Sequence, residues 1–166
     1  CENINIQDNT VYHAHGGFVI GSEFSGGMKN IVVRNNTFQG TDAGLRFKSA
    51  VKRGGKSENI YIDHIYMTDI TGDAITFETT YFDNHVGAKQ QAAPIKQEFL
   101  PDFQDIHISN VYVRGCKNGI VAHGAEGMIH DITIKDCNIF YNKNAKDIDA
   151  ACKITLENVN FSTFAK

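Results

Sequence analysis

Asn30-Ile31-Val32-Val33-Arg34-Asn35-Asn36-Thr37-Phe38 places a polar residue before an isoleucine, then apolar residues two and seven positions after that isoleucine. The spacing recurs as Ile4/Ile6/Val11, Ile60/Ile62/Met67, Ile106/Ile108/Val113, Ile132/Ile134/Ile139 and Ile154/Leu156/Phe161. An i, i+2 step is strand periodicity. Asn3, Asn30, Asn59, Asp105 and Asp131, which precede the isoleucines, belong to the residue types that start turns or stack in side-chain ladders. A second short strand follows in the first four copies: Gly17-Phe18-Val19-Ile20, Gly44-Leu45-Arg46-Phe47, Ala74-Ile75-Thr76-Phe77 and Gly119-Ile120-Val121-Ala122.

The first isoleucines of successive copies lie 27, 29, 46, 26 and 22 residues apart. A recurring period of this size marks a repeat architecture. Helical repeats of comparable length need an apolar stripe of 3.6-residue period, which no window sustains among this many Asn, Gly and β-branched residues. Leucine-rich repeats need regularly placed leucines, and the chain has few. The predicted fold is all-β, a right-handed parallel β-helix of about six coils, with strands stacked about 4.8 Å apart. Residues 1–166 are read as one domain of this kind. The long interval is one coil with an inserted loop at about 83–102 that holds both prolines, Pro94 and Pro101. That loop is either a groove wall or inert decoration. An uncovered solenoid end exposes apolar side chains and strand edges. Because the chain opens almost directly on a coil at Cys1-Glu2-Asn3-Ile4, further N-terminal coils of the same protein are expected, and this chain is read as a C-terminal part.

Composition narrows the function. The chain has 166 residues, 42% of them apolar, which excludes a disordered tail. No apolar run approaches the roughly 18 residues that cross a bilayer, so no membrane span is expected. Sixteen Lys and Arg against nineteen Asp and Glu leave a net charge of -3, without a global field to recruit nucleic acid or anionic lipid. Cys1, Cys116, Cys137 and Cys152 form no C-x-x-C pair, so a structural zinc site is not expected, and their disulfide state is left open.

Charge is distributed unevenly, however. Counted from the first isoleucine of their copies, Phe18 and Ile20 occupy the same positions as Leu45 and Phe47, and all four face inward. Alternation then turns Arg46 and Lys48 outward together. Two parallel cations on a rigid strand can clamp a carboxylate, the guanidinium by a bidentate fork and the ammonium as a point charge. The alternative is a solvated pair of surface charges. The segment from Arg46 to Lys56 carries five cations and no acid, which favours an anionic ligand. There is no recognition-helix pattern and little aromatic interleaving, so nucleic acid is not expected as a partner. One coil earlier, His13-Ala14-His15-Gly16-Gly17 enters the strand stacked on that of Arg46. The two histidines have no obvious third ligand for a metal, whereas His15 is placed within a coil or two of the cation pair. Gly16 and Gly17 are read as letting a ligand approach closely. Tyr81 ends the strand one coil further on. Its phenol either packs on a sugar face or fills an edge under the loop.

Two stretches carry a resemblance to a known family. Ala14-His15-Gly16, continued by Gly21-Ser22-Glu23 and Ser25-Gly26-Gly27, is similar to the Gly-His-Gly motif of glycoside hydrolase family 28, the polygalacturonases and related pectin hydrolases. Arg46-Phe47-Lys48 resembles that family's Arg-Ile-Lys motif, with Ala14 and Phe47 as conservative departures. The resemblance covers essentially the whole chain. It implies a right-handed parallel β-helix and inverting hydrolysis of α-1,4-galacturonosyl linkages in polygalacturonate, with no cofactor. It further implies that His15 supports catalysis and that Arg46, Lys48 and Tyr81 bind substrate, an acidic polysaccharide or oligogalacturonide. A secreted or periplasmic protein is implied, and the Ser-Glu and Ser-Gly-Gly variant looks most like bacterial members, many of which act from chain ends. The family's catalytic acids come from an Asn-Thr-Asp motif and an Asp-Asp pair, and the 166 residues contain neither. Glu23, Asp42, Asp63 and Glu78 form no adjacent pair and are not nominated in their place. The chain alone is therefore expected to be inactive. The competing reading is a noncatalytic β-helix module that grips acidic polysaccharide through Arg46 and Lys48. A calcium-dependent lyase of similar architecture would want an acidic cluster that the sequence does not offer.

Overall fold

The computed structural model describes residues 1–79 and 100–164. Every named strand pairs in parallel, in one continuous right-handed parallel β-helix. The strands are β1 (Glu2–Gln7), β2 (Thr10–Tyr12), β3 (Gly16–Ile20), β4 (Met28–Gln39), β5 (Ala43–Lys48), β6 (Ser57–Glu78), β7 (Ile106–His123), β8 (Ile132–Ile148) and β9 (Ile154–Thr163). Their register is the repeat read from the sequence. Ile4, Ile31, Ile60, Ile106, Ile132 and Ile154 pair in one column, and Ile6, Val33, Ile62, Ile108, Ile134 and Leu156 in the next. A third column runs from Val11 through Phe38, Met67, Val113 and Ile139 to Phe161.

Two corners in each of the first five coils are turned by left-handed residues. Asn3, Asn30, Asn59, Asp105 and Asp131 have φ of 51 to 58°, as their place before each isoleucine leads one to expect of Asn and Asp. Their amides also form a ladder, with Asn59 Nδ2 donating to Asn30 Oδ1 at 2.6 Å and Asn30 Nδ2 to Asn3 Oδ1 at 2.9 Å. A second left-handed corner follows five residues on, at Asp8, Asn35, His64, Asn110 and Asp136.

Inside, the columns fill a continuous apolar core. Phe47 and Phe77, both fully buried, stack at 4.4 Å and 6°, and Phe103 meets both edge-on. Gly17 belongs to this packing, which corrects its reading as an opening for ligand. A Cβ there would lie 2.2 Å from the Phe38 ring, so the missing side chain makes room for the core. The column of strands that holds β3 and β5 continues in β8, where Lys146, Asp147 and Ile148 pair with Ile120, Val121 and Ala122. Sequence reading stops this column one coil earlier, because Lys146, exposed but in register with the buried Ile120, breaks the apolar alternation. Of the inserted loop, residues 83–99 lie outside the described residues. At its end Asp102 bonds as an ordinary rung, its amide donating to Gly55 O and its carbonyl accepting from Ser57 N, each at 2.9 Å.

The four cysteines are free thiols, Cys1 exposed and Cys116, Cys137 and Cys152 buried. Burial above all raises the Cys116 thiol to about 12 and the Cys137 thiol to about 11. A thiolate is the reactive form. An alkylating reagent at pH 8 is therefore expected to modify Cys1 in the native protein, and Cys116 and Cys137 only after denaturation. Peptide mass mapping before and after guanidinium addition reads the difference, and rapid native labelling of Cys116 would contradict the packing.

Candidate functional site

Arg46 and Lys48 alternate along β5 with Leu45 and Phe47, whose side chains are fully buried. Both cations therefore leave the outer surface of the column that holds β3 and β5. Parallel pairing stacks Arg46 between Val19 and Thr76, and Lys48 beside Glu78, which in turn pairs with His123. The sheet face changes along its column from cation to carboxylate to imidazole.

His15 sits in the turn that leads into β3. The register Gly16↔Ala43 brings it beside Asp42, the residue before β5. His15 Nδ1 lies 2.9 Å from Asp42 Oδ2, and its Nε2 lies 2.7 Å from Arg46 Nη1. The second oxygen of Asp42 accepts from Thr71 Oγ1 at 3.2 Å. Asp42, His15 and Arg46 thus form a chain of polar contacts across two coils, braced from a third. The hydrogen bond from His15 holds the Asp42 carboxyl below its ordinary value. The Thr71 bond adds to that effect, burial opposes it, and the charges of His15 and Arg46 add smaller contributions. Asp42 consequently stays ionised to a lower pH than an ordinary aspartate.

The sequence places His15 within a coil or two of the cations, and in the structure it touches Arg46. Asp42 and Thr71 are the members that motif reading passes over. The available signal is the coil period: Asp42 lies 27 residues after His15, the interval between the first two isoleucines. The five-cation segment does not act as one patch. Arg53 pairs with Glu23 of the preceding coil at 2.6 Å, and Lys56 lines a cavity of about 390 Å³ with Ser25, Asp102 and Glu126. Tyr81 lies outside the described residues. Among the described residues, no three His, Cys, Asp or Glu side chains converge in a metal-binding group.

The family model for Glycosyl hydrolases family 28 matches residues 1–162. The chain belongs to this family. Among its relatives, a polygalacturonase of Ralstonia nicotianae is 27% identical over 159 residues, which cover 90% of this chain and 28% of that protein. A polygalacturonase of Ralstonia solanacearum is 31% identical over 122 residues, covering 71% of this chain and 21% of the relative. The solved structure of an exopolygalacturonase from Thermotoga maritima superposes with a TM-score of 0.80 at 30% identity, covering 95% of this chain and 34% of that one. The chain therefore spans about a fifth to a third of the length of these relatives.

Proposed function

We propose that these coils form the substrate-holding half of a polygalacturonate hydrolase, with the reacting carboxylates supplied by chain outside the 166 residues. The observation that carries the reading is the contact of His15 with Arg46 on the same outward face as Lys48, in a chain matched to family 28 along nearly its whole length. Arg46 and Lys48 hold the carboxylate of a galacturonosyl unit, the guanidinium by its fork and the ammonium by charge. His15 supports the acid that protonates the leaving oxygen. In inverting hydrolysis one carboxylic acid gives that proton while a carboxylate activates water on the opposite face of the ring. For Tyr81 the family resemblance alone supports a part in binding the sugar. A polymeric pectin substrate places the protein in a secreted or periplasmic setting, and among the described residues no helix is long and apolar enough to cross a membrane.

Turnover of trigalacturonate by the full-length protein, followed by proton NMR in the first minutes, tests this reading. The expected product is free galacturonate that first appears as the β-anomer, because an α-linkage is inverted. A first-formed α-anomer would contradict it. The second reading is a binding module for acidic polysaccharide, which a lack of Asn-Thr-Asp and Asp-Asp in the residues encoded just upstream would favour. That reading predicts galacturonate binding by the full-length protein with no product.

A further inference from the structure

Two neighbours of opposite hydrogen-bonding capacity decide where the His15 proton resides. A guanidinium donates and never accepts, so the 2.7 Å contact of Arg46 Nη1 with His15 Nε2 requires a lone pair on Nε2. A neutral imidazole with its lone pair there carries its hydrogen on Nδ1. An ionised carboxylate only accepts, and Asp42 Oδ2 stands 2.9 Å from that Nδ1. The two contacts agree on one tautomer, which Asp42 holds by accepting from Nδ1–H. Thr71, from the next coil, donates to the other oxygen of Asp42 and limits rotation of the carboxylate.

We propose that Asp42 is a positioning residue that holds His15 as its Nδ1–H tautomer, with the Nε2 lone pair turned towards Arg46 and the ligand-facing side of the sheet. The proposal deepens the reading of His15 and Arg46 as parts of a uronate site and rests on it. His15 then meets Arg46 as a hydrogen-bond acceptor, its one Nε2 lone pair taking a bond from the guanidinium and fixing that side of the fork. The other tautomer would press an N–H against the guanidinium, donor against donor, and would turn Arg46 out of line. Asp42 thereby acts on the clamp through the imidazole, without touching the sugar.

The test uses the full-length protein labelled with ¹⁵N-histidine, the His15 signals being assigned by their loss in His15→Gln. At pH 8 ordinary imidazoles are neutral. Long-range ¹H–¹⁵N spectra are expected to show His15 Nδ1 as the protonated nitrogen and Nε2 as the lone-pair nitrogen. In Asp42→Ala the two signals should move together as the tautomers mix. In Asp42→Asn they should stay apart, because the amide oxygen can still accept from Nδ1–H. Trigalacturonate kcat/KM should fall about tenfold in Asp42→Ala, the loss of one charge-assisted bond, and recover at least partly in Asp42→Asn. A protonated Nε2 in the wild-type protein, or a spectrum that Asp42→Ala leaves unchanged, would overturn the proposal. The spectra need no substrate, so failure to turn over galacturonides would count against the functional reading alone.

Discussion

Replacing Arg46 with Ala is expected to weaken binding of galacturonate oligomers by about 1.5 to 3 kcal/mol, roughly a tenfold to hundredfold loss, with little change for neutral sugars of the same length. The difference follows from what the guanidinium recognises. A neutral sugar offers hydroxyls that water replaces at small cost, whereas a uronate carboxylate matches the fork of the arginine and loses a paired charge when it is removed. The position is fixed by the fold, since Arg46 is stacked between Val19 and Thr76 and flanked on its own strand by two buried side chains. Arg46→Lys should fall between wild type and Ala, because an ammonium keeps the charge but loses the planar fork. Isothermal titration with trigalacturonate and a neutral trisaccharide measures the contrast. Equal losses for both ligands would remove Arg46 from the proposed clamp.

The second large effect is structural. Phe47→Ala should destabilise the coils by about 3 to 5 kcal/mol, the range for emptying a buried aromatic position. Phe47 is fully buried, stacks on Phe77 at 4.4 Å and contacts Phe18 and Phe103 edge-on at 6.2 and 6.1 Å. Parallel strands stacked above and below leave the backbone little freedom to close the cavity. The residue also lies between the two proposed clamp cations in sequence, so the loosened strand should lower galacturonate affinity as well. Phe47→Leu, which keeps most of the volume, should lose less than half as much in chemical denaturation. Wild-type stability in Phe47→Ala would contradict the packing.

The core was legible because inward positions obey a spacing that repeats from coil to coil. Once Ile4 aligns with Ile31 and Ile60, the outward direction of Arg46 and Lys48 follows from alternation alone. Contacts between coils were less legible. The Asp42–His15 pair joins residues 27 apart and the Arg53–Glu23 pair residues 30 apart, so a segment that reads as purely cationic along the chain finds its counter-charge one coil back. Laying the sequence out at its own period recovers the first pair. Gly17 was misread for a different reason: the absence of a side chain does not reveal whether the space it leaves faces ligand or core. Only the Phe38 ring beneath it decides that question.

The most direct measurement is a crystal structure of the full-length protein with digalacturonate bound. A carboxylate oxygen should sit within about 3 Å of the Arg46 guanidinium, with Lys48 on the same group and His15 beside the sugar. A disaccharide seated elsewhere, such as against the exposed stack of Tyr66 and Tyr112 with its carboxylates in solvent, would show that this wall of the helix does not hold the acidic sugar.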